Sequence, residues 1–123
     1  MKNLLTLLLL LISIMLFSER GNSTTYYFST TDGDDSRTSA QAQSSSTPWK
    51  TLTKLNSFFS SLQPGDMVLF KSGDVFYGNI TVTKSGSSSS PITFGSYGSG
   101  AQPVISGFTP VTSWTNTSGN LWT

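Results

Sequence analysis

A chain of 123 residues with neither cysteine nor histidine leaves room for one domain and excludes disulfide frameworks, thiolate catalysis and Cys- or His-based metal centres. Only 11% of the residues are charged and the formal net charge is +1, which excludes the basic surface that nucleic acid or an anionic membrane selects. The polar surface must come from Ser, Thr, Asn and Gly, a composition shared by exported all-β proteins and disordered linkers, so periodicity has to decide between them.

The first element is a leader. Lys2 precedes an apolar run from Leu4 to Phe17 broken only by Thr6 and Ser13, short of the roughly 20 residues that span a bilayer. It reads as a signal peptide over residues 1–23, with the new N-terminus falling between Ser18 and Thr25. An uncleaved anchor is the alternative, because "FSERGNS" offers Gly21 and Ser23 as small residues but no Ala-x-Ala. Once the leader is removed, Arg37, Lys50, Lys54, Lys71 and Lys84 balance Asp32, Asp34, Asp35, Asp66 and Asp74. The expected product, residues 24–123, is secreted or held at the cell surface, with no nucleic acid and no membrane as partner.

Next comes an amphipathic helix. Thr47 suits an N-cap, Pro48 suits the first helical position, and Trp49, Leu52, Leu55, Phe59 and Leu62 recur at three- and four-residue spacing. The spacing predicts a helix over 49–62, stopped by Gln63-Pro64-Gly65-Asp66. Four β-favouring triplets follow, Val68-Leu69-Phe70, Ile80-Thr81-Val82, Ile92-Thr93-Phe94 and Val104-Ile105-Ser106, twelve residues apart and separated by Ser/Gly turns. In each, the first and third residues are expected inward and the middle one outward. Such a pattern fits an antiparallel meander or a solenoid with 24-residue coils. In the solenoid Val68 lies beside Ile92 and Ile80 beside Val104, and the helix plugs the open end of the first coil.

The segments "YYFSTTDGDDSRTS", "STPWKTLTKLNSFFSSLQPGDMVLFKSGDVFYGNITV", "SPITFGSYGSG" and "QPVISGF" resemble the N-terminal region of secreted bacterial right-handed parallel β-helix proteins of pectate-lyase-like architecture. The resemblance covers Tyr26 to Trp122. It implies an all-β parallel β-helix whose first coils carry an N-terminal capping α-helix, substrate lying in a groove along later coils, and a polysaccharide as partner. It assigns Asp32-Gly33-Asp34-Asp35 to the loop after the first strand, with no catalytic role.

Candidate chemistry is sparse. Asp32, Asp34 and Asp35 offer oxygen ligands for calcium without the EF-hand frame, and a solvated turn is the competing account. No cofactor motif is evident in the chain, and calcium stays open for the longer protein. Lys50, Lys54, Lys71 and Lys84 matter because uronate lyases need a base and a cation at the carboxylate, but a solvated helix face for Lys50 and Lys54 and strand-end turns for Lys71 and Lys84 are the favoured accounts. Hydrolysis needs two carboxyl groups across one groove, and Asp66 and Asp74 sit at opposite ends of one short strand. Tyr77, Tyr97, Phe108, Trp114 and Trp122 are stacking candidates for sugar rings, with Trp114 and Trp122 foremost because they lie in a polar Thr/Ser/Asn stretch. Asn22, Asn79 and Asn116 begin Asn-x-Ser/Thr sequons. The expected function is therefore the N-terminal capping segment of an exported carbohydrate-active protein, polysaccharide lyase-like, with its catalytic residues beyond Thr123. The alternative is a non-catalytic cell-surface or glycan-binding β-helix.

Overall fold

The computed structural model describes residues 23–109, 111, 113, 115–119 and, as backbone, 121–122. The leader over 1–22 and Trp114 lie outside the described residues. Apart from helix α1 (Leu52–Phe58) and one-turn 3-10 segments at Gln41–Gln43 and Phe59–Ser61, the regular elements are strands. They are β1 (Thr25–Phe28), β2 (Met67–Lys71), β3 (Val75–Tyr77), β4 (Thr93–Tyr97), β5 (Val104–Ser106), β6 (Asn116–Ser118) and β7 (Leu121–Trp122). The fold is all-β.

Pairing is parallel where it builds the core. β1, β2 and β4 form one sheet in that order and β3 and β5 a second, while β6 and β7 pair antiparallel. A parallel pair cannot be closed by a tight turn, so the chain leaves the first sheet after Lys71, passes through β3 and returns to β4. It then visits β5 beside β3. Val68 pairs with Tyr26 and with Phe94, which excludes the antiparallel meander.

Register differs from the twelve-residue count. Val68 lies beside Phe94 rather than Ile92, because β4 starts at Thr93. Val104 lies beside Val75 rather than Ile80. Ile80-Thr81-Val82 forms no strand because Asn56 takes the backbone partners a neighbouring strand would use, its Nδ2 donating to the Asn79 carbonyl (2.9 Å) and its Oδ1 accepting from Thr81 N (2.8 Å). In β5 the inward residue is the middle one: Ile105 aligns with the buried Phe76, while Val104 and Val75 align on the other face. In β2 the expected alternation holds, Val68 and Phe70 being buried.

The helix begins later than its apolar stripe suggests. Trp49 is extended, bridging Phe28 in parallel through Trp49 N to the Tyr27 carbonyl (2.9 Å) and Ser29 N to the Trp49 carbonyl (2.8 Å). Thr51, not Thr47, is the N-cap, its hydroxyl accepting from Lys54 N at 3.1 Å. Trp49, Leu52, Leu55, Phe59 and Leu62 are nonetheless all buried, in one core with Tyr26, Phe28, Val68, Phe70 and Phe76. Trp49 stacks on Tyr26, centroids 5.7 Å apart, and Phe28 bridges Trp49 to Phe70. One outer edge of the first sheet is thus covered by Trp49. At the other, Phe94 (40% exposed) projects from β4, and in the second sheet Ile105 (45%) projects from β5; both are edge strands among the described residues.

Candidate functional site

The loop from Ser29 to Thr51 brings the acidic residues together in sequence and separates them in chemistry. Asp32 pairs with the Lys71 ammonium. Asp34 accepts from Ser36 N at 2.9 Å, and the backbone and hydroxyl of Ser36 hold its carboxyl below the usual carboxylate range. Asp35 accepts from Lys50 N (2.7 Å), Thr51 N (3.1 Å) and Thr51 Oγ1 (2.6 Å), fixing the point where the extended Trp49 segment turns into α1. Arg37 donates to the carbonyls of Asp32 and Pro48. Gly33 is forced by space, since a Cβ there would lie 2.1 Å from the Ser29 carbonyl oxygen and 2.4 Å from that of Trp49. Among the described residues no group of three acidic side chains converges as a metal site.

Both buried carboxylates are fastenings. Asp66 (1% exposed) accepts from Thr24 N and Gln63 N, both at 2.8 Å, tying β1 to the turn that ends the helical segment. Gly65 supplies the positive φ (92°) that this Pro-Gly-Asp turn requires. Asp74 (6% exposed) accepts from Ser29 Oγ (2.8 Å), Thr30 N (2.7 Å) and Thr31 Oγ1 (3.3 Å). Burial opposes its ionisation, but the hydrogen bonds from Ser29, Thr30 and Thr31 outweigh that and hold its carboxyl below the usual range. Both carboxylates are thus engaged by backbone or side-chain donors of the fold. Beside Asp74, the Tyr97 hydroxyl is shut from solvent with no partner at hydrogen-bonding geometry. Burial, then the charges of Asp74 and Asp32, push that phenol up to about 12.

A concavity lies where the two ends of this loop, Thr30 and Lys50–Thr51, meet β3. A cavity of about 400 Å³ is lined by Thr30, Lys50, Thr51, Leu52, Val75, Phe76 and Tyr77. Leu52 and Phe76 close its floor from the core, Val75 and Tyr77 project outward from β3 as its wall, and Thr30 and Lys50 supply polar rim groups. No carboxylate lines it, so the arrangement can bind a ligand but holds no acid–base pair.

Two residues singled out in the sequence, Lys50 and Tyr77, therefore meet at one cavity. Lys54 stands over the Trp49 ring instead, its ammonium 5.1 Å from the centroid. Lys84 reaches the Ser60 carbonyl at 3.5 Å. Phe108 is exposed and lines nothing described. Trp122 belongs to β7, with its side chain outside the described residues, as is all of Trp114. Asn79 is exposed, donating to Thr81 Oγ1 within its own sequon. Thr30 and Val75 carried no signal in the sequence, because only the fold brings the loop after β1 and the first residue of β3 to one cavity.

No family model matches the chain. A lacto-N-biosidase of Bifidobacterium longum subsp. longum is 43% identical over 67 residues, which is 50% of this chain and 4% of that protein. The selenomethionine and native crystal structures of the GH136 lacto-N-biosidase from Eubacterium ramulus superpose with TM-scores of 0.55 and 0.51 at 37% and 38% identity, each match covering 65% of this chain and 12% of the solved one. The chain is similar to a small part of carbohydrate-active glycoside hydrolases. These relatives are hydrolases rather than lyases, so the lyase-like activity implied by the pectate-lyase resemblance is set aside.

Proposed function

We propose that the chain is the N-terminal, non-catalytic segment of an exported glycoside hydrolase of right-handed parallel β-helix architecture, acting on an oligosaccharide or polysaccharide. The observation that carries the proposal is the 37–43% identity to lacto-N-biosidases over half the chain or more, with a superposable fold. The parallel ladders fit it: β1, β2 and β4 are successive rungs of one face, β3 and β5 of another, and Trp49 with α1 is the cap. Both buried carboxylates are consumed by structure, so the acid pair of a glycosidase belongs to coils encoded past Thr123.

The test is to sequence and express the reading frame continuing past Thr123 and assay it on lacto-N-biosidase substrates and on pectate. Glycoside hydrolysis by the long protein, with no activity from residues 24–123 alone, is the expected result. Unsaturated uronate from pectate, or turnover by residues 24–123 alone, refutes it. Residues 1–23 are proposed to be the export signal, so intact mass of the exported protein should place its start between Ser18 and Thr25. Calcium, if the long protein uses it, belongs to those later coils.

A further inference from the structure

We infer that the cavity between β3 and residues 50–52 is a saccharide-binding site in its own right, taking a neutral pyranose ring against Tyr77 and Val75. The inference rests on the carbohydrate reading above and adds a location that no acid–base chemistry occupies. Its chemistry is that of a two-faced ligand. A pyranoside presents an apolar C–H face and a girdle of hydroxyls, and the cavity presents an apolar floor and wall with a polar rim.

Thr30 and Lys50 are held through their backbone N–H groups, and Val75 and Tyr77 by the pairing of β3 with β5. Tyr77 is 53% exposed although it sits on a strand whose middle residue is fully packed, so its ring is available as a platform. The Lys50 ammonium has no ion-pair partner among the described residues, while its backbone is pinned by Asp35. Thr30 is anchored through its N–H to Asp74, which leaves its hydroxyl toward the rim without a described hydrogen bond. Thr51 is different, since its hydroxyl is already engaged by Asp35 and Lys54 N and shapes the cavity only. The volume, about 400 Å³, falls within the usual range of small-ligand sites, about 300–1,000 Å³. Asp34 and Asp35 beside Lys50 offset its charge, which favours a neutral sugar over an acidic one.

The experiment is amide chemical-shift mapping on the isotope-labelled full chain, titrated with lactose and with lacto-N-biose to about 10 mM, above a millimolar Kd. Shifts are expected at Thr30, Lys50 and Tyr77. Tyr77→Ala should weaken the binding about tenfold or more, Lys50→Ala should weaken it too, and Lys84→Ala should leave it unchanged. Shifts that map to the Phe94 and Ile105 end instead overturn the cavity site while leaving the carbohydrate reading standing. Absence of any shift with either sugar overturns the site, and hydrolysis by the longer protein then decides the carbohydrate reading separately. Equal binding of cyclohexanol also overturns it, by showing an apolar slot indifferent to hydroxyls.

Discussion

Replacing Asp74 by Ala should be among the most costly single changes in the chain. The carboxylate accepts two short hydrogen bonds at Oδ2, from Ser29 Oγ and Thr30 N, and a longer one at Oδ1 from Thr31 Oγ1. Truncation strands the Thr30 N–H and the Ser29 hydroxyl, each at about 1–3 kcal/mol for a buried unsatisfied donor. Ser29 lies 3.0 Å from Thr31 Oγ1 and can turn to it, and Thr30 is only half-buried, so both take the lower part of that range. The sum is about 2–4 kcal/mol. Urea unfolding of the purified protein at pH 7 should register it as a midpoint lowered by about 1–3 M. Asp74→Asn, which keeps an acceptor and loses the charge, should lose about half as much. The pH dependence follows from the direction of the shift: the folded carboxyl titrates below its unfolded value of 3.8. Its stabilisation is therefore complete above pH 4 and disappears as pH falls through the folded value. The gap between wild type and Asp74→Asn should close in acid. A loss under 0.5 kcal/mol at pH 7, or a gap unchanged at pH 2, would refute the fastening role.

Gly33→Ala should destabilise by about 2–4 kcal/mol, because two carbonyl oxygens occupy the space its Cβ needs; wild-type urea stability in that variant would show that the loop yields freely. Leu52→Ala should cost about 2–5 kcal/mol as a core truncation, and Lys54→Ala about 0.5–1 kcal/mol through its ammonium over Trp49. Equal, small losses in those two variants would mean that α1 is not docked. Tyr97 should ionise at about pH 12 in an ultraviolet phenolate titration, read as the absorbance step that Tyr97→Phe removes. A raised phenol stabilises the fold fully below its unfolded pKa and ceases to as pH rises through the folded one, so Tyr97→Phe should flatten the alkaline loss of stability between pH 10 and 12.

Much of the core was legible because burial writes itself as period. Trp49, Leu52, Leu55, Phe59 and Leu62 announce one face, and all five are buried even though Trp49 reaches that core from an extended bridge. The helix start was misplaced because its determinants are distant: Asp35 contacts Lys50 and Thr51 across fifteen and sixteen residues, and no local pattern reports that. The β3 strand hid inside "GDVFYG", whereas Ile80-Thr81-Val82, with better strand chemistry, is satisfied by a single asparagine side chain. Propensity lost to a specific hydrogen-bond partner. The acidic cluster looked like one site and is three separate contacts, since hydrogen-bonding partners rather than sequence proximity decide where a carboxylate points. Of the cavity, the sequence displayed Lys50 and Tyr77 as loose candidates, and only the fold made them neighbours.

The covered edge beside Trp49 also gives assembly a direction in time. Translation delivers Trp49 and α1 before β2 and β3, whose buried residues share their core, and domains consolidate from the N-terminal side as the chain emerges. By the time Tyr77 has emerged from the ribosome, β1, Trp49, α1 and β2 can close on one another as a nucleus shut on one side. β4, which emerges later, then meets β2 with a row of free amides and carbonyls on the side away from β1. A stray strand finds no such row beside Phe28, where Trp49 already holds the β1 edge.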